Sequence, residues 1–565
     1  MIRNGIDFTG RALRFLSSEV RGLHAAAYVL AACALLSSLL ALVRDRLLAH
    51  TFGASTTLDI YYAGFRIPDL IFVGTAALVS VYMLIPELAR RSGGGQRDYI
   101  DTIVAGFSLF AVFVACVAAL LAPSILSFLF PAFTGEYALQ LVMITRIMLL
   151  QPILLGLSNI LAAITQSRHR YALYALSPLL YNIGIIVGVV FFYPVWGIAG
   201  LAWGVVVGAL LHASIQIPAV VSDGFLRRFP RFRESRAFVR TALVSLPRAL
   251  ALSMSQLAFL GLTALAGTLV SGSIAVFMFA YNLQAVPLAI IGASYSVAAF
   301  PTLAEAFSRG HRAQFIEHVA TAARYVLFWS IPISALILVL RAYVVRVILG
   351  SGAFDWTDTR LTAACFALFS LSLGAQGLQL LLVRGYYAAG RTVMPLVISF
   401  GTMIATLGFA IGMLNLLDNV TVLRSVSALL RVEDVAGARV VALSFSYALA
   451  SIVGAVVLAF HFEYRFGGFF AQIRRTLAES FGAAFLGGAG AYVALLLFSP
   501  LFPSTETLPV FLLGFLGGVS GIAVAASTYH VLGSREYKET LASVRARLWR
   551  RAEEEGVTLV TSAET

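Results

Sequence analysis

The chain has 565 residues, of which 60% are hydrophobic and only 12% are charged, and its formal net charge is +13. A soluble domain carries roughly 25% charged residues, so this composition excludes a water-facing globule and fits a surface that faces lipid. The positive charge sits in short clusters between apolar runs, which suits membrane orientation and anionic lipid headgroups; no nucleic-acid partner is expected.

Residues 1–24 intersperse Arg3, Arg11, Arg14 and Arg21 with Ile6, Phe8, Leu13, Phe15 and Leu16. That pattern predicts an interfacial amphipathic segment rather than a cleaved signal. Beyond it, about fourteen apolar runs each reach the roughly 20 residues that a spanning helix needs. They fall near 25–49, 60–90, 99–130, 138–165, 171–193, 197–220, 239–269, 273–305, 318–349, 359–386, 393–416, 439–462, 476–499 and 508–531. The predicted fold class is an all-α polytopic membrane protein. Arginines follow the even-numbered spans, as in Arg90, Arg91 and Arg97, whereas the alternate loops lack them or balance them with Asp and Glu. The positive-inside rule then puts both termini in the cytoplasm.

Two stretches recur six spans apart. YMLIPELARR with Pro86 resembles VAAFPTLAEAF with Pro301, and SRHRYALYALSP with Pro178 resembles RGYYAAGRTVMP with Pro395. Two pseudo-symmetric six-span lobes are a common transporter architecture with the substrate site near the midplane. The expected division is an N-lobe at 25–220, a basic cytoplasmic loop at 221–238 and a C-lobe at 239–462 with an outside loop at 417–437. Two extra helices follow at 463–531, and a cytoplasmic tail at 532–565.

An ionisable group at bilayer depth costs about 2.5–3.5 kcal/mol on insertion scales, so those present should face protein or water. Arg44 and Asp45 end the first span and read as cavity residues or as a structural ion pair. Asp59 opens the second run, where a cap on its own helix is the alternative. Arg66 and Asp69 flank Pro68, which predicts a charged kink in span two; a snorkelling Arg66 is the alternative. Arg248 lies beside Pro247 in span seven, Gln256 follows it, and Asn282 lies in span eight. Asn182 in span five and Gln376 in span ten are further buried polar candidates. Pro178, Pro301 and Pro395 are expected to act as kinks.

No chemistry beyond transport is legible. Cys33, Cys116 and Cys365 each sit inside an apolar run, and the eight histidines show no metal-ligand spacing. No phosphate-binding loop or hydrolase motif stands in a suitable context, so no cofactor is expected and the chain is not read as an enzyme. Energy would come from the membrane potential or a monovalent ion.

The stretch ALVRDRLLAHTFGASTTLDIYYAGFRIPDLIF at 41–72 resembles the MurJ/MviN family, the lipid II flippases of peptidoglycan synthesis. So do RYALYALSPLLYNIGIIVGVV, LPRALALSMSQ, YNLQAVPLAIIGASYSVAAFPTLAEAF, GSGAFDWTDT and VRGYYAAGRTVMP, in family order over spans one to eleven. The resemblance implies a fourteen-helix bundle of the multidrug/oligosaccharidyl-lipid/polysaccharide exporter superfamily, with two helices forming a groove for a lipid tail. It implies a polyprenyl-pyrophosphate substrate, lipid II, held in a cationic cavity and moved by alternating access. It assigns a phosphate-binding role to Arg44, an essential acidic position to Asp59 and a basic one to Arg66. Ser38, Phe72 and Asn282 stand where that pattern has arginine. The partners implied are lipid II or a related glycolipid, membrane lipids and the cell-wall synthesis machinery, in the bacterial inner membrane. Rival expectations are an exporter of another lipid-linked oligosaccharide, a drug-cation exporter, a membrane-embedded enzyme on polyprenyl carriers, and a scaffold that binds lipid II.

Overall fold

The computed structural model describes residues 23–545 apart from 80, 169, 229, 233, 503–505 and 544. The expected amphipathic segment at 1–24 and the end of the tail therefore lie largely outside the described residues.

The described chain is helical. In order the helices are α1 (Leu23–Phe52), α2 (Thr56–Gly64), α3 (Arg66–Leu78), α4 (Val81–Ala89), α5 (Gly94–Leu129), α6 (Glu136–Met148), α7 (Leu150–Ser167) and α8 (Tyr171–Val187). Next come α9 (Tyr193–Trp196), α10 (Ile198–Ser214), α11 (Ile217–Ser222), α12 (Ser235–Gly267), α13 (Ser273–Leu288), α14 (Ser294–Ser308) and α15 (Arg312–Leu349). The remainder are α16 (Trp356–Ser370), α17 (Leu373–Ala388), α18 (Val393–Leu416), α19 (Val420–Leu430), α20 (Val441–Phe466), α21 (Phe469–Phe498) and α22 (Thr507–Val531). Lipid offers no partner to a backbone amide, so only self-satisfied helices can fill these runs.

Among the described residues, 11 helical stretches are long and apolar enough to cross a membrane, and α16 with α17, bent by 44°, makes a twelfth. The first two expected spans coincide with α1 and with the broken run α2–α3–α4. The loop expected at 417–437 contains a short helix, α19, capped by Asn419, whose side chain accepts from the Thr421 and Val422 amides.

Prolines act by position. Pro68 lacks the N–H that the Gly64 carbonyl would accept, and span two breaks at Phe65 accordingly. Pro178 and Pro301 lie inside α8 and α14. Pro395 occupies the first turn of α18, where a missing N–H breaks no intrahelical bond. Two π-helical turns, Gly188–Phe192 and Ala289–Ala293, were not expected.

The chain forms two compact units. The first comprises Met1–Ala280, Ile348–Thr362 and Thr392–Ala450; the second comprises Tyr281–Val347, Ala363–Arg391 and Ser451–Thr565. In the first, Leu84, Tyr99, Ile103, Phe107, Ile160 and Ile164 form one fully buried core. There α8 and α10 cross at glycines: a Cβ on Gly204 would lie 2.5 Å from Gly188 Cα. Small residues let membrane helices approach closely enough for dispersion to hold them, since lipid supplies no hydrophobic drive between helices. In the second, α21 and α22 form a hairpin that packs on α15 through Phe328, Ala483, Ala525 and Tyr529 and again through Leu340, Leu495 and Leu513.

Candidate functional site

The first unit gathers charge near the ends of its early helices. Arg44, on α1, donates Nε and Nη2 to Asp45 Oδ1 at 3.0 and 2.8 Å. Its Nη1 donates to Asn182 Oδ1 on α8 at 3.0 Å. The Asn182 amide in turn donates to the Pro178 carbonyl at 3.0 Å. Three N–H groups thus fix the guanidinium plane, and the donors left over can meet a phosphate in forked geometry. Asp45 is 3% exposed, so its charge needs this partner. Arg44 thus forms the ion pair that its sequence position allowed, with Asn182 as a further partner.

A second pair lies on the next helices. Arg66 Nη2 meets Asp69 Oδ2 at 3.4 Å, and Arg66 Nε donates to the Tyr62 carbonyl at 3.2 Å. The guanidinium also stands 5.4 Å from the centre of the Phe259 ring, within cation–π range. Gln151, on α7, donates Nε2 to Asp69 Oδ1 at 3.4 Å. Arg66 is buried, so it does not snorkel to a lipid interface. Tyr61, Tyr62 and Tyr181 link the two pairs: Tyr61 lies within electrostatic reach of Arg44, Asp45 and Asp69, and Tyr181 of Arg44 and Asp69.

Asp59 has a different post. Ser55 holds the N-cap place of α2, so Asp59 does not cap its own helix. Its Oδ2 accepts from the Gly272 amide at 2.6 Å and its Oδ1 from the Ala275 amide at 2.8 Å. These amides belong to the start of α13, whose dipole favours an anion there. Gly272 has φ +89°, and a Cβ on it would collide with the Ala54 carbonyl. Asp358 makes a matching contact, accepting from the Ala54 amide at 3.0 Å. Carboxylate caps thus join 54–59, 272–275 and 358 within this unit.

The other expected residues take separate places. The side chain of Arg248 lies outside the described residues. Gln256 is half-buried on α12, and Asn282 is half-buried on α13 where the second unit begins. Ser38 turns inward on its own helix, donating to the Ala34 carbonyl at 3.0 Å. Gln376 donates to Ser372 Oγ at 2.8 Å, a local bond within the second unit. Sequence reasoning missed Gln151, Thr145 and the three tyrosines as site residues. The pair Gln151–Pro152 inside an apolar run was the signal for the first of these.

The second unit holds no comparable cluster in the places the sequence pointed to. It has instead an apolar groove of about 730 Å³ along α15, α17, α20 and α21. Leu327, Ile331, Leu338, Val456, Phe460 and Phe485 are among its walls, and Arg474 is the charged residue of the lining.

A family model described as "Lipid II flippase MurJ" matches residues 48–512, well past the spans that carried the resemblance. A probable lipid II flippase MurJ of Buchnera aphidicola subsp. Acyrthosiphon pisum is 27% identical over 379 residues, covering 66% of this chain and 74% of that protein. The lipid II flippase MurJ of Burkholderia cenocepacia is 23% identical over 384 residues, covering 66% and 74%. Among solved structures, a lipid II flippase MurJ in an inward closed conformation superposes with a TM-score of 0.70 at 18% identity, covering 89% of this chain and 99% of that one. An inward-facing multidrug resistance MATE family transporter of the MOP superfamily gives 0.61 at 15% identity, covering 78% and 96%. At these identities the structural likeness speaks for the fold alone.

Proposed function

We propose that this chain, which belongs to the lipid II flippase MurJ family, carries lipid II from the inner to the outer leaflet of the bacterial cytoplasmic membrane. The observation that carries this reading is Arg44, held in plane by Asp45 and Asn182. A guanidinium fixed in this way and left with N–H donors to spare suits a pyrophosphate. The substrate class follows from charge: an anionic headgroup is drawn to Arg44 and Arg66, whereas a cationic drug is repelled.

The expected lobes, 25–220 and 239–462, rock about the cavity and expose it to each side in turn, with both termini cytoplasmic. The headgroup crosses past Arg44 while the polyprenyl tail stays in an apolar setting, for which the groove of the second unit has the right chemistry. The energy source is the membrane potential or an ion gradient. Export of another lipid-linked oligosaccharide, the nearest rival, has no feature here that favours it over lipid II.

The test is complementation. Arg44→Ala should abolish growth of a strain depleted of its own flippase while the variant protein stays at wild-type level, and lipid II should accumulate. Normal growth of that strain would remove the role assigned to Arg44.

A further inference from the structure

We propose that the first unit carries a monovalent-cation site between spans two and four, formed by Asp69, Gln151, Thr145 and the backbone carbonyls of Gly64 and Met148. Its existence rests on geometry; its role in coupling rests on the transport reading above.

The two spans break in the same way. Span two stops at Gly64 and restarts at Arg66, two residues ahead of Pro68, because Pro68 offers the Gly64 carbonyl no N–H. Span four stops at Met148 and restarts at Leu150, and Pro152 likewise offers none to the Met148 carbonyl. The breaks meet. A Cβ on Gly64 would touch Ile144 Cδ1 at 2.8 Å and lie 3.6 Å from Thr145 Oγ1. Gln151 reaches across from α7 to Asp69 on α3. Facing discontinuous helices, with carbonyls turned loose by proline, are the form that ion sites take in membrane transporters.

The side chains ask for an occupant. Thr145 Oγ1 and Gln151 Oε1 are buried with no hydrogen-bond partner among the described residues. Thr145 is 0% and Gln151 3% exposed. A buried oxygen with no partner is costly, so two of them at these facing breaks, Gln151 next to the Asp69 carboxylate and Thr145 next to Gly64, are not kept without compensation. Every donor atom in the set is an oxygen, which selects a hard cation. The net charge selects its valence: one carboxylate, partly neutralised by Arg66, is too little for a divalent ion. Among the described residues no group of three His, Cys, Asp or Glu side chains could hold a metal ion. Sodium fits.

Arg66 makes the site responsive. Its 3.4 Å contact with Asp69 is longer than the roughly 2.7–2.9 Å of a well-formed charge-assisted bond. A phosphate that draws Arg66 away leaves Asp69 to the cation, and a bound cation releases Arg66 to the phosphate. Linkage then makes each ligand strengthen the other.

The experiment uses the full chain in detergent, titrated with NaCl while choline chloride holds ionic strength constant. The expected result is a saturable, sodium-specific rise in Tm, since a ligand that binds only the folded state stabilises it by mass action. Thr145→Val, which keeps shape, should weaken the half-saturation by at least about tenfold. Arg66→Gln should strengthen it, an effect that a purely structural Arg66 would not produce. A wild-type curve identical in choline and sodium overturns the site, as does an unchanged midpoint in Thr145→Val. In proteoliposomes, flipping of a fluorescent lipid II analogue should follow the sodium gradient; flipping indifferent to it overturns the coupling role. Intact sodium binding with no flipping under any gradient would instead refute the flippase reading and leave the site standing.

Discussion

The charged cluster of the first unit and the groove of the second solve opposite problems with the same helical material. In the first unit, spans two and four are broken by proline, and polar groups sit beside the breaks: the charged Arg66 and Asp69 after one, the neutral Gln151 after the other. In the second, helices α15, α17, α20 and α21 leave a groove of about 730 Å³ lined mostly by Leu, Ile, Val, Ala and Phe, with Arg474 as its charged residue. A substrate with a pyrophosphate at one end and a polyprenyl chain at the other needs both chemistries. The difference teaches that binding specificity and chain accommodation can be damaged separately.

The largest effect is expected where the first unit depends on close approach. Gly204→Leu pushes a side chain into the Gly188 backbone, which cannot rotate away. Overpacking costs about 1–3 kcal/mol where side chains can yield, and more against backbone. We expect loss of folded protein in detergent size exclusion; a well-folded variant would show that the α8–α10 crossing is looser than its glycines imply. Asp59→Asn comes next. It removes the charge that caps α13, and a hydrogen bond to a charged group is worth about 1.5–3 kcal/mol. Tm should fall by a corresponding amount together with transport. An unchanged Tm with transport lost would make Asp59 a residue of transport rather than the cap of α13.

That revision of Asp59 shows what the sequence could and could not convey. Hydropathy placed the spans because each must be apolar over its own length, a local property. The Arg44–Asp45 pair and the Pro68 break were equally local, the one between chain neighbours and the other within four residues. Asp59 was placed near a helix start, correctly, but the helix it caps begins at Ser273, and nothing near residue 59 encodes that. Asn182 was seen only as a buried polar residue, because its partner Arg44 lies 138 positions away. The family resemblance supplied the chemistry of Arg44 from outside the local pattern; it was silent on Gln151 and Thr145, whose significance appears only when two broken helices face each other.

A smaller effect should separate the units directly. Val456 lies exposed on the groove wall, so Val456→Trp fills space without disturbing a core. Flipping of a long-chain lipid II analogue should slow several-fold, flipping of a short-chain analogue should stay near normal, and Tm should not move. Equal slowing of both would mean that the groove does not house the chain. Arg44→Ala, by contrast, should impair both analogues alike, because the headgroup is common to them.

The smallest effect belongs to the tail, whose helical stretch 535–543 docks within the second unit. Tyr325 Oη donates to Glu539 Oε2 at 2.6 Å, and Arg535 Nε donates to Oε1 at 2.7 Å. These bonds, the tyrosine's first, hold the Glu539 carboxyl below its ordinary value near 4.5. The sign follows from that depression: the contribution is complete above the ordinary glutamate range and is lost as pH falls through the lowered value. Much of the Glu539 side chain faces solvent, so the contribution is no more than about 1 kcal/mol after screening. Glu539→Gln keeps an acceptor for Tyr325 and removes only the charge. At neutral pH it should quicken amide exchange across 535–543 slightly, and the gap to wild type should close on acidification, when the native carboxyl is also neutral. A gap that stays constant with pH would show that the shape of the Glu539 side chain, and not its charge, helps to dock the tail, leaving the largely buried Arg324–Glu536 pair at 2.9 Å as the charged contact that holds it.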